Sequence, residues 1–179
     1  MHPQLEAIAT DFETARTRVK ALDGRLTPDA WRRRPSAEQW SPAECIAHLN
    51  LTAEAMLPRM RAALEQARRL GPAPQRYRRD LMGWLIWKSQ TPGSRIKIKT
   101  QPSFVPFRDR LPAEVIASFD RLHTDLIDVT RECDGVPIDR VMIASPFNEK
   151  VRYNLYAALS ITATHDFRHL RQAERAARA

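Results

Sequence analysis

Only two cysteines occur in the 179 residues, Cys45 and Cys133. They are 88 positions apart and form no C-x-x-C pair, which argues against a disulfide scaffold and against a thiolate-only zinc site. Both read as reduced, buried thiols of an intracellular protein. No apolar run approaches the roughly 18–20 residues that a membrane-spanning helix needs. The first residues, Met1 to Val19, carry acids early and lack an apolar core of the kind that export signals have. Internal repeats, low-complexity tracts and evident linkers are missing as well. What remains is ordinary globular composition, 43% hydrophobic and 28% charged, at a length that suits one domain over residues 1–179. The expected setting is the cytoplasm, with no membrane partner.

The charge is one-sided. Lysine and arginine number 29 against 21 acids, for a formal net charge of +8 and a pI near 10.2. Such a surface attracts anions, nucleic acid among them. Most of the basic residues are arginines scattered among acids, with dense groups only at Arg32–Arg34 and Arg76–Arg79. No helix-turn-helix, zinc-finger or aromatic RNA-binding signature accompanies them, so no sequence-specific nucleic-acid complex is expected.

Periodicity predicts helices. Leu5, Ile8, Phe12, Ala15, Val19 and Leu22 recur at three- and four-residue steps, and Asp23-Gly24 supplies a stop. Thr27-Pro28-Asp29-Ala30 opens a short turn carrying Trp31. The second long helix starts at Ser41, with Pro42 at the first helical position and Glu44 three residues after the cap. Its apolar face runs through Cys45, Leu49, Thr52, Met56, Met60 and Leu64. Pro58 is expected to kink it, and it should end near Leu70-Gly71-Pro72. Residues 71–110 read as a long crossover holding the apolar run Leu81 to Trp87 and an alternating stretch, Arg95 to Lys99, of strand or extended loop. Ile86, Trp84 and Trp87 are expected to form an apolar patch, at a pocket mouth, against a second subunit, or over the core. A third helix runs from about Leu111 to Cys133 on Val115, Phe119, Leu122, Leu126 and Val129. The last is expected from about Lys150 to Arg178. Four long helices with one crossover between the second and third predict an all-α four-helix bundle.

Chemistry concentrates on three histidines. His165 and His169 lie four apart on the last helix, about 6 Å apart along its axis and on one face. Leu155, Ala158, Ile161, Thr162 and Gln172 share that face, so it points inward. Two imidazoles at that spacing can reach one ion; hydrogen-bonded core or surface histidines are the alternative. This is not the H-E-x-x-H of zinc peptidases, since residues 166 and 168 are Asp and Arg. His48, on or beside the apolar face of the second helix, supplies a third nitrogen. Three protein ligands leave a coordination position open, as catalytic sites require. His2, at a terminus expected to fray, and His123, expected beside the apolar stripe, are poorer candidates. Gln172, one turn beyond His169, is placed to orient it. Three histidines suit Zn, Ni, Fe, Co or Cu, among which affinity order alone does not choose, and Zn, Ni or Fe is expected.

Trp40-Ser41-Pro42-Ala43-Glu44 followed by His48-Leu49 resembles the first motif of the DinB-like superfamily. The run His165-Asp166-Phe167-Arg168-His169-Leu170-Arg171-Gln172 is similar to its second, and Ser145-Pro146-Phe147 to its lead into the last helix. Asn148 stands where glycine is common in that loop. The resemblance implies an up-down-down-up bundle, often dimeric, with one divalent metal ion on His48, His165 and His169. It further implies a small-molecule substrate and a thiol-dependent S-transferase activity using a low-molecular-weight thiol such as bacillithiol, mycothiol or glutathione. Arg168 and the Arg76–Arg79 group are candidate partners for an acidic thiol. Metal-assisted hydrolysis is the alternative, with Glu44 and Asp166 as nominal bases, although Glu44 has a capping role and Asp166 should face away from His165. A non-enzymatic basic binding protein is the third reading.

Overall fold

The computed structural model describes residues 1–91, 100–108 and 110–179. Helix α1 spans Pro3–Asp23, α2 Pro28–Arg32, α3 Pro42–Ala67, α4 Leu81–Gln90, α5 Pro112–Glu132 and α6 Leu155–Ala176. A 3-10 turn covers Pro102–Phe104, and strands β1, Met142–Ser145, and β2, Asn148–Asn154, form an antiparallel hairpin. No described helix is long and apolar enough to cross a membrane. The alternating stretch Arg95 to Lys99 lies outside the described residues.

Local chemistry explains the helix starts. Ser41 caps α3 by accepting from the Glu44 amide, while the Glu44 carboxylate accepts from the Ser41 amide at 2.9 Å, a reciprocal box that satisfies two orphan donors. The helix runs through Pro58 to Ala67. Asp80 caps α4 by accepting from the Gly83 amide, and its other oxygen accepts from the Asn154 amide at 2.9 Å. Asn154 in turn caps α6, accepting from the Ala157 amide at 2.8 Å.

That last cap corrects one expectation. The final helix begins at Leu155, five residues after Lys150, because residues 148–154 pair with β1. Ile143 opposes Tyr153 on the buried face of the hairpin, and a register shift between Ala144 and Ser145 turns the strand at its tip. The crossover differs too: its apolar run is helix α4, packed on α6 and β2.

Cross-helix bonds set the directions. Arg16 with Asp120 and Arg131 with Glu13 make α1 antiparallel to α5. Gln4 with Tyr156 and Arg18 with Glu174 make α1 parallel to α6. Asn50 with Val115 and Arg68 with Glu132 make α3 parallel to α5, while His48 with His165 and Tyr153 with Met56 set α3 antiparallel to α6. The four long helices thus run up, down, down and up in chain order, and α1 and α3 each pack against both α5 and α6.

The core has two apolar clusters. One gathers Leu5, Phe12, Met56, Met60, Leu126 and Leu159; the other Val19, Trp31, Ile46, Leu49, Phe119 and Leu170. His123, expected beside the α5 stripe, is fully buried and bridges the two, edge-on to Phe12 and stacked at 3.6 Å on Phe119. A buried imidazole needs polar partners. It has the Phe119 carbonyl at 3.0 Å and the buried Asp166 carboxylate of α6 at 2.9 Å. His2 is also held rather than frayed: it caps α1, lies edge-on to Tyr77 and reaches the Gln75 carbonyl at 3.1 Å.

Candidate metal centre

His48 enters from the first turns of α3, and His165 and His169 from the middle of α6, whose antiparallel packing brings the three rings together. Ring centroids lie 5.1 Å apart for His48 and His165, 4.6 Å for His48 and His169, and 4.5 Å for His165 and His169. One ring nitrogen from each lies within 4.8 Å of the others, close enough to hold one ion together. The Nε2 atoms of His48 and His165 are 3.3 Å apart. Two nitrogens bound tetrahedrally at about 2.0–2.1 Å from one ion would sit about 3.3–3.4 Å apart.

The remaining nitrogens show how the rings are aimed. His48 Nδ1 is 2.8 Å from the Phe104 carbonyl. A carbonyl only accepts, so Nδ1 carries the proton and Nε2 presents its lone pair to the cluster. His169 Nδ1 is 3.0 Å from Gln172 Oε1, which aims its Nε2 in the same way. His165 Nδ1 is buried and has no hydrogen-bond partner among the described residues. Without an ion, the close Nε2 pair of His48 and His165 needs a shared proton, supplied by His165, which leaves His165 Nδ1 a bare buried acceptor. A cation among the three nitrogens removes the need for that proton. The donor set therefore fits a divalent metal.

Electrostatics agree. Burial pushes His165 well below its usual range, with the charges of His169, His48 and Arg168 adding to the effect. Burial and the His48 charge lower His169 to about 3, against the opposing pull of Gln172. Burial also lowers His48, opposed by the Phe104 carbonyl. All three are neutral at pH 7, the form that ligates metal.

Aromatic rings surround the cluster. Trp40 lies 5.0 Å from His48 and stacks at 6.0 Å over His169. Phe147 is 6.4 Å from His165 and packs at 4.3 Å on Phe104. The Phe104 carbonyl and the placing of these rings at the histidines were not legible in the sequence, although Phe147 stood in the motif that leads into the last helix. A backbone acceptor 56 residues from its histidine leaves no trace in spacing, although Trp40 was visible within its motif.

Other expected residues lie elsewhere. Gln172 lies against His169, its Oε1 accepting from His169 Nδ1. Both nominal bases are committed: Glu44 to Ser41 and the Arg34 guanidinium, Asp166 to His123. Burial alone would raise the Glu44 carboxyl, but the Arg34 and Ser41 hydrogen bonds outweigh it and hold it below the usual range. Arg168 reaches the Ser89 carbonyl and Gln90 Oε1, both at 3.3 Å, at the end of α4. Of the Arg76–Arg79 group, Arg79 lies over the Trp87 and Tyr156 rings at the start of α6, nine residues or about 13 Å along the helix from His165. The expected patch divides. Trp84 is exposed, whereas Ile86 and Trp87 pack against the core. Cys45 is fully buried and its thiol is pushed up to about 12 by that burial, which leaves it inert. A cleft of about 800 Å³ between α1, α2 and α5 has Trp31 and Ile116 in its wall and none of the histidines. Volume alone does not mark the chemistry.

A family model described as the DinB superfamily matches residues 11–173. The chain belongs to the DinB superfamily. No curated protein and no solved structure matches it. The matched span includes every DinB element that builds the cluster, from α3 and the Phe104 turn to α6.

Proposed function

We propose that this DinB protein is a metal-dependent enzyme that joins a low-molecular-weight thiol to a small electrophile. Its ion, Zn, Ni or Fe, would be held by His48, His165 and His169. The whole chain would act as one bundle domain. The reading rests above all on three neutral imidazoles whose lone pairs converge, two of them aimed by hydrogen bonds at the opposite ring nitrogen. Three protein ligands leave a position for an exogenous group. Bound there, a divalent ion would supply Lewis acidity and favour the thiolate form of an incoming thiol.

The chain's own residues do the rest. The Phe104 carbonyl and Gln172 keep the Nδ1 protons of His48 and His169 in place, so neither ring can turn or change tautomer freely. The Arg168 guanidinium acts on both His165 and His169 and favours an acidic thiol nearby. No protein nucleophile is needed, in keeping with inert Cys45. Hydrolysis would need a carboxylate base, and both nominal carboxylates are engaged elsewhere. We further propose a cytoplasmic homodimer, supported by the exposed apolar face of α4 formed by Leu81, Met82, Trp84 and Leu85.

Elemental analysis of untagged protein tests the site first, with one equivalent of a transition metal expected. His48→Ala, His165→Ala and His169→Ala should each lose most of it, beside an unaffected His2→Ala control. Full metal in His165→Ala and His169→Ala would overturn the assignment. Glutathione, bacillithiol and mycothiol, each assayed against 1-chloro-2,4-dinitrobenzene, test the reaction. Conjugation no faster than the uncatalysed rate with all three would reject the transferase reading.

A further inference from the structure

The rings beside the histidines are placed more firmly than packing alone demands. Trp40 directly precedes the Ser41 cap, and that cap is locked by the Glu44 carboxylate, itself gripped by Arg34. Phe147 sits at the hairpin tip. Its amide donates to Ser145 Oγ at 3.3 Å, and its carbonyl accepts from the Gln101 side-chain amide. Phe104, buried behind it, backs the ring at 4.3 Å while its own carbonyl holds His48. Trp40 and Phe147 each remain partly exposed. Trp40 borders the side of the triangle formed by His48 and His169, and Phe147 borders the corner at His165. Two partly exposed aromatic rings therefore lie beside the histidine cluster, Trp40 at His48 and His169 and Phe147 at His165.

We propose that Trp40 and Phe147 are the walls of a substrate slot over the three histidines, and that the small molecule accepted there carries a planar aromatic ring. Flat π-systems gain from offset or edge-to-face packing against indole and phenyl rings, and a saturated ring of similar size does not gain equally. Rings fixed before the ligand arrives lose little conformational freedom on binding. The protein's net charge of +8 favours an anionic substituent on that ring. This inference rests on the proposed function, because it names the substrate class of the same site.

Benzoate and cyclohexanecarboxylate make a matched pair of probes, alike in charge and size and different in π-character. Each is titrated into the protein as purified while the indole N–H signals of its four tryptophans are followed by NMR, with the Trp40 signal assigned by its loss in Trp40→Phe. Benzoate should shift the Trp40 signal and bind at least about 10-fold more tightly than cyclohexanecarboxylate. Trp40→Leu and Phe147→Leu should each weaken benzoate about 3- to 10-fold while keeping their metal content, and Trp40→Phe should retain most of the affinity. Equal binding of the two acids, or shifts confined to Trp84 and Trp87, would overturn the proposal. A protein that holds no metal yet still prefers benzoate at Trp40 would refute the metal reading and leave the slot standing. Full metal with no preference would do the reverse.

Discussion

At the scale of residues, the three histidines work by being hard to protonate. An unfolded chain takes up protons on histidine near pH 6.5. Folded His169 does so only near 3, and His165 and His48 are also depressed. Below pH 6.5 the unfolded state therefore binds more protons, and the metal-free protein loses stability as pH falls from about 6.5 toward the folded values. The limiting slope is about 1.4 kcal/mol per pH unit for each histidine that stays neutral. Urea unfolding of metal-free protein at pH 7.5, 6.0 and 5.0 should show this decline, and His169→Gln should flatten it. A profile level from 7.5 to 5.0 would mean the rings are hydrated and charged. The same depression weakens proton competition for the ligands, so metal should persist at pH 6, where free imidazoles would be largely protonated. The buried partnership of His123 with Asp166 belongs to this scale as well. It turns Asp166 away from the cluster while its neighbour His165 faces in.

At the scale of elements, α4 decides how the crossover meets the bundle. A β-carbon added at Gly83 would lie 2.4 Å from Ala157 Cβ and 2.8 Å from Asp80 Oδ1. Gly83 thus permits the close seat of α4 on the first turn of α6. Gly83→Ala should force the helices apart and cost about 1–3 kcal/mol, the usual penalty of overpacking, despite alanine's better helix propensity. A lower urea midpoint measures it, and an unchanged or raised midpoint would show that α4 is free to move. The long helices were readable because each repeats its apolar residues at helical spacing over five or more turns, and α3 in addition starts at the reciprocal Ser41–Glu44 cap, whereas α5 opens at Leu111 with no side-chain cap. The hairpin was not. Val151 and Tyr153 alternate as a strand does, but only across a few residues, and without the partner strand that short signal is indistinguishable from the approach to α6.

At the scale of the whole molecule, part of the basic side-chain set is matched across helices, with Arg16, Arg18, Arg68 and Arg131 each paired to an acid of another helix, and the net charge of +8 is carried by the remaining basic residues. Such surface pairs are worth little individually. The face of α4 departs from this polar covering. Leu81 is 75% exposed and Leu85 48%, beside exposed Met82 and Trp84. If that face joins two subunits, sedimentation of the native protein should report a dimer, and Leu85→Glu with Trp84→Glu should yield monomer with its metal content intact. A dimer that survives both changes would place the contact elsewhere.

Sequence alone determined the four long helices in outline, the Ser41 cap of α3, the inward face of His165 and His169, and the candidacy of His48. All of these follow from spacing and side-chain chemistry within one segment of chain. The tertiary structure decided what depends on segments brought together by folding: the Phe104 carbonyl that aims His48, the pairing of His123 with Asp166 across the core, the hairpin that shortens α6, and the placing of Trp40 and Phe147 beside the histidines. Periodicity reports which side of a helix is buried. It carries no record of which atoms, brought from other segments of the chain, will meet that side.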